Sequence, residues 1–175
     1  MQTGTIIQSV EIYKLFVELK EPFVISLGPQ NDVQNIIVII RTKDGCAGYG
    51  ECSPYMSING ESIDTCFIVG QYFAKVLKDA DALDIAKCME LMDKTIYGNS
   101  SIKSAFDIAL HDIAAQHAGL PLYKFLGGEK NKVITTDMTV GIGSPEKMQA
   151  DAIRFKEQGF PAIKVKLGET KDKSL

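Results

Sequence analysis

Ala162-Ile163-Lys164-Val165-Lys166-Leu167-Gly168 decides how this chain is read. It has the form of a short strand: four of seven residues are apolar and a glycine ends it. In a strand, residues i and i+2 face the same side. Lys164 and Lys166 therefore point together, and Ile163, Val165 and Leu167 point the other way. Two readings stand. In one, the lysines are solvated and guard a sheet edge against aggregation. In the other they are partly buried, each disfavours the other's charge, and one becomes a base near neutral pH.

The residues before this strand place it. Val133 to Ile142 reads as a strand, and Ser144-Pro145-Glu146 opens a helix with an N-cap, a proline at the first position and an acid in the first turn. Met148, Ala152 and Phe155 form its apolar face, and Gly159 stops it. This is one strand–helix–strand unit, the element of a parallel sheet with right-handed crossovers. One such unit covers neither sheet edge, and a (β/α) barrel needs about 250 residues. The 175-residue chain is therefore expected to be part of a longer protein.

Further upstream the pattern is different. Residues 4–18 alternate loosely through Ile6, Val10, Ile12, Leu15 and Val17. Residues 35–42 are a β-branched run, Lys43-Asp44-Gly45 is a hairpin turn, and residues 46–51 return. Together they predict a three-stranded antiparallel meander. Between its first two strands, residues 21–31 read as a loop of about a dozen residues with two prolines. Phe23, Ile25 and Leu27 argue against plain disorder there. Ser53 to Gly60 is a second loop mixing turn and apolar residues, among them Met56 and Ile58. Two such loops at one end of a meander suggest a lid.

Helical periodicity follows at 61–78, at 84–97 with Asp84 as N-cap, and from Ser100 or Ser101 to about 118. The last carries an apolar stripe at 102, 105, 106, 109, 110, 113, 114 and 118, with Asp107 and Asp112 off it. Gly119 and Pro121 end it.

The totals narrow the function classes. Composition is that of a globular protein, 45% hydrophobic and 23% charged, with net charge −3. The arginines are Arg41 and Arg154, and no basic cluster occurs, so nucleic acid is not an expected partner. No apolar run reaches membrane-spanning length, and no signal peptide is recognisable. Cys46, Cys52, Cys66 and Cys88 fit no zinc or redox spacing; reduced thiols and a cytoplasmic location are expected. His111 and His117 point roughly 120° apart on one helix and cannot share a metal.

The order of segments resembles the N-terminal half of the enolase superfamily, muconate-lactonising subgroup. Gly48-Tyr49-Gly50-Glu51-Cys52-Ser53-Pro54 resembles its G-x-G-E-x-x-P. Ser104 to Ala115 is similar to its alanine-rich helix with A-L-x-D. Gly119-Leu120-Pro121-Leu122-Tyr123-Lys124-Phe125-Leu126-Gly127-Gly128 is similar to its G-x-P-L-x-x-L-L-G-G, and Lys164-Val165-Lys166 to its K-x-K. Thr136-Asp137-Met138-Thr139 resembles the T-D-x-T of dipeptide epimerases such as the L-Ala-D/L-Glu type.

The resemblance implies an α+β capping domain over residues 1–125, a three-stranded antiparallel meander plus helices. Residues 126–175 would be the first strand–helix–strand of a (β/α)7β, TIM-like barrel. It implies an isomerase that removes the α-proton of the C-terminal residue of a dipeptide through an enediolate stabilised by Mg²⁺. Lys166 would be the acid/base on one face, with Lys164 lowering its pKa and neutralising the enediolate. Strand alternation, with barrel sites at strand C-terminal ends, makes Thr139 the residue placed to touch substrate.

Those relatives hold the metal on three later strands, so no metal ligand is expected within this chain, nor activity from it alone. The Ala-Glu epimerases place an arginine in the first lid loop at the position of Gly28. Its absence predicts a small or apolar second residue, bound near Ile25, Leu27, Met56 and Ile58. A homo-oligomer is expected of the full-length protein. The alternatives are a muconate cycloisomerase or o-succinylbenzoate synthase on the same scaffold, against which Thr136-Asp137-Met138-Thr139 argues, and a non-catalytic binding fragment.

Overall fold

The computed structural model describes residues 3–25, 28–130 and 132–167. They divide into two compact units, one of residues 1–16 and 34–130, the other of 17–33 and 131–175. Strands β1 (Ile7–Ile25) and β2 (Gly28–Thr42) run through both.

In the first unit β1, β2 and β3 (Ala47–Cys52) form an antiparallel sheet in that order. The β2–β3 register sets Ile36 against Cys52, Val38 against Gly50 and Ile40 against Gly48. Alternation puts all six on one face, where Ile36, Val38 and Ile40 are fully buried. Helices α2 (Ile63–Leu77), α3 (Ile85–Thr95) and α4 (Ser100–His117) cover that face. The α4 stripe is buried as the periodicity predicts, apart from Ala118. Phe106 meets Phe73 of α2 edge to face at 5.6 Å. Asp84 caps α3 by accepting from the Lys87 amide at 3.1 Å, as expected.

The Gly48-Tyr49-Gly50 motif has a steric cause. A Cβ at Gly50 would lie 1.8 Å from the Ala105 carbonyl oxygen, and one at Gly48 2.1 Å from that of Ala109. The backbone of α4 thus rests directly on β3. Asp112 fastens the contact by accepting from the Tyr49 amide at 3.0 Å, and Gln116 donates to the Ala47 carbonyl at 2.9 Å.

Two local expectations change. Residues 21–31 are not a long loop: β1 continues to Ile25 and β2 begins at Gly28. Pro22 and Pro29 are tolerated because β3 pairs only with Ile36 to Arg41, so both strands are edges there. The second loop contains a short helix, α1 (Met56–Asn59). Helix α4 begins at Ser100, one of the two starts expected of it. Its N-cap is Asn99, left-handed at φ 56° and without a capping side chain. Glu61 supplies the acceptor from outside: it is buried and receives the Ser101 amide at 3.0 Å and the Ile102 amide at 3.4 Å.

The second unit contains β4 (Asp137–Val140), α6 (Pro145–Glu157) and β5 (Ala162–Val165); α5 (Leu122–Phe125) closes the first. Strands β4 and β5 pair in parallel, as the strand–helix–strand pattern predicts. Strand β4 is shorter than the apolar run suggests: Val133 and Ile134 lie before it, almost fully exposed. Ser144 caps α6 from position N-cap, accepting from the Lys147 amide at 3.3 Å. No helix among the described residues is long and apolar enough to cross a membrane.

Candidate active site

The parallel register aligns Thr139 with Lys164 and Val140 with Val165. In-register residues of a parallel pair share a face, so Thr139 stands beside Lys164. The Lys166 amide donates to the Val140 carbonyl at 3.1 Å and carries the ladder one step further. Alternation then sets Lys166 on the face of Thr139 and Lys164, nearer the strand ends. Lys164 is exposed and Lys166 half-buried. One face at the C-terminal end of two parallel strands thus carries a hydroxyl and two ammonium groups.

The tip of the β1–β2 hairpin belongs to the same unit and supplies the next contacts. The Lys166 ammonium lies 4.5 Å from the centre of the Phe23 ring. The Val24 carbonyl accepts the Ile142 amide at 3.3 Å, just past the end of β4. Glu21, two residues before Phe23, reaches Arg154 of α6 at 3.4 Å. Arg154 also pairs with Asp151 at 2.7 Å. Lys147, bonded to the same Asp151 at 2.7 Å, holds that carboxyl below the usual range, with Arg154 adding to the effect.

A cleft of about 980 Å³ opens beside this cluster, lined by Phe23, Thr139, Lys20, Asp32, Arg154 and Phe155 among others. Neither Lys164 nor Lys166 lines it. It is walled by residues of β1, β2, β4 and α6, whereas the lysines belong to β5 and the residue just beyond it. The strand chemistry, and not the cleft, defines the candidate site.

The other sequence-predicted residues are placed as follows. Ile25 is half-buried at the end of β1, and Leu27 lies outside the described residues. Met56 and Ile58 stand on α1 in the first unit, both exposed. Asp107 pairs with His111 at 3.2 Å, and His117 faces Asp44 at 3.3 Å, so the two histidines have separate partners. Among the described residues no group of three or more His, Cys, Asp or Glu is arranged to hold a metal ion. The residues present do not fit a Mg²⁺ site. All four cysteines are free. Phe23 was legible only as an apolar residue in a supposed loop; its contact with Lys166 spans most of the chain and has no local signature.

Residues 7–127 match the family described as mandelate racemase / muconate lactonizing enzyme, N-terminal domain. Among curated relatives, a D-Ala-D/L-Ala epimerase from Cytophaga hutchinsonii is 61% identical over 95% of this chain and 45% of its own. A hydrophobic dipeptide epimerase from Enterococcus faecalis is 37% identical over 93% of this chain and 46% of its own. The chain thus spans about half the length of the curated relatives it matches. The crystal structure of the Cytophaga hutchinsonii dipeptide epimerase with Mg and D-Ala-L-Val superposes with a TM-score of 0.91, at 61% identity. That alignment covers 95% of this chain and 45% of the other.

Proposed function

Because the chain belongs to the mandelate racemase / muconate lactonizing enzyme family, we propose that it is the N-terminal part of a dipeptide epimerase. The observation that carries the reading is the shared face of Thr139, Lys164 and Lys166 at the strand ends. Residues 1–125 then form the capping domain and 126–175 the first part of the barrel.

In this reading the neutral ε-amine of Lys166 takes the α-proton from one face of the dipeptide's C-terminal residue. The electron pair left on carbon delocalises into the adjacent carboxylate. Lys164 lies beside that carboxylate, and its positive charge offsets the charge that develops there. The Thr139 hydroxyl holds the substrate backbone against the strands. A base on the opposite face, outside these residues, returns a proton and inverts the centre. Mg²⁺ is the proposed cofactor of the whole protein. Its ligands lie outside these 175 residues in this reading, and no step of Lys166 is routed through it.

Gly28 carries no charge to meet an acidic side chain. The substrate is therefore a dipeptide whose second residue is small or apolar. The relatives named for alanine dipeptides and for hydrophobic dipeptides support this choice. Substitution Lys166→Ala in the full-length protein, followed by α-proton exchange in D₂O, tests the mechanism. Exchange from one epimer of Ala-Ala is expected to disappear. Unchanged exchange from both epimers would remove Lys166 from the reaction. Faster turnover of Ala-Glu than of Ala-Ala would sink the substrate assignment.

A further inference from the structure

We infer that Phe23 is a positioning residue for Lys166, its ring holding the base in the orientation from which it reaches the α-carbon. This rests on the assignment of Lys166 as a base.

Three contacts carry the inference. The Lys166 Nζ sits 4.5 Å from the ring centre, inside the range where an aromatic face attracts a cation, so the ring favours the amine at the position where its ammonium forms as it takes the α-proton. The strand that carries the partly exposed ring is anchored on either side of it: Glu21 pairs with Arg154 at 3.4 Å, and the Val24 carbonyl accepts the Ile142 amide at 3.3 Å. Glu21 and Phe23 share a face of β1, so the hairpin tip lays a salt bridge and a ring side by side on this unit. Lysine needs such help. Its charge rides on a flexible four-carbon stem with no fixed fork to orient it. A base displaced by about 1 Å from its attack position loses on the order of a hundredfold in rate.

The test uses the full-length enzyme and the two C-terminal epimers of Ala-Ala. Lys166 serves one face, so a residue acting through it changes exchange from one epimer only. Phe23→Leu keeps apolar bulk and removes the ring. It is expected to lower D₂O exchange of the epimer silenced by Lys166→Ala by about tenfold through kcat, with KM and the other epimer's exchange held within about twofold. Phe23→Tyr keeps the ring and is expected to keep the rate.

Incorporation of pentafluorophenylalanine at position 23 preserves shape and reverses the ring's charge distribution. It is expected to reproduce the loss seen with leucine, and it decides the matter if Phe23→Leu does not fold. Equal loss from both epimers would make Phe23 a substrate contact and overturn the inference. So would a pentafluorophenylalanine protein with unchanged exchange. If Lys166→Ala itself leaves both epimers exchanging, the assignment of the base fails, a result separate from either of these.

Discussion

Replacing Gly50 by alanine tests the close seating of α4 on β3. The added Cβ would stand 1.8 Å from the Ala105 carbonyl oxygen, 2.8 Å from its carbon and 3.0 Å from the Ala109 amide nitrogen. Ordinary contact begins near 3.4 Å, so α4 and β3 must separate by about 1.6 Å. No rotamer change relieves this, because every atom met is backbone. The separation would also stretch the Asp112 to Tyr49 and Gln116 to Ala47 hydrogen bonds. Overpacking a core by a methyl group typically costs about 1–3 kcal/mol, and more where backbone must move. We therefore expect a loss of about 3 kcal/mol or more, a large part of the stability of a typical domain. In a chain of this size that corresponds to a fall in Tm of about 6–12 °C. Urea unfolding followed by circular dichroism reads it as a lower midpoint at unchanged slope. Gly143→Ala is the control, since its Cβ would meet only Lys147 side-chain atoms, at 3.4 Å or beyond. A Gly50→Ala protein within about 0.5 kcal/mol of the parent would refute the steric account of the motif.

Three further outcomes are expected. Glu61→Ala leaves the Ser101 and Ile102 amides at the buried start of α4 without their acceptor and should cost about 2–3 kcal/mol in urea unfolding; Glu61→Gln keeps an acceptor oxygen and should cost less, and equal loss in the two would be contrary. Iodoacetamide should modify Cys46 first, because it is half-buried and the other thiols are buried: burial raises the Cys46 thiol too, but it pushes Cys88 up to about 11, and the hydrogen bond that Cys66 donates to Cys52, then burial and the nearby Glu61 carboxylate, push Cys66 well up, so mass mapping that finds Cys66 or Cys88 labelled as fast as Cys46 counts against this. The Thr42 hydroxyl and the Cys46 amide hold the Asp44 carboxyl below its ordinary 3.8, which means that its contribution is present above that pH and fades as pH falls through the folded value; Asp44→Asn should therefore destabilise at neutral pH and progressively less in acid, whereas a pH-independent difference would assign the effect to shape alone.

Several features were legible in the residues because their cause is local. The apolar stripe of α4 has a helical period, Asp84 and Ser144 are caps of the following helices, and Lys43-Asp44-Gly45 is a turn. The alternation in Lys164-Val165-Lys166 placed both lysines on one face before any neighbour was known. The hairpin at 21–31 was not legible. Proline and glycine punctuate it as they would a loop, and only its pairing, free of a third strand, makes them harmless. Glu61 as the cap of α4 was hidden for a related reason: acceptor and amides are about forty residues apart, so no local pattern joins them.

The sequence by itself determined the two kinds of architecture, the family resemblance and the lysine pair, since periodicity, turn chemistry and strand alternation act over a few residues. Only the tertiary structure decided what those elements meet. It set Gly50 against the backbone of α4, because van der Waals exclusion is felt only once two distant segments touch. It aligned Thr139 with Lys164, because register is a property of a strand pair and not of either strand. It laid the Phe23 ring over Lys166, where attraction at 4.5 Å depends on a fold that brings residues from opposite ends of the chain together.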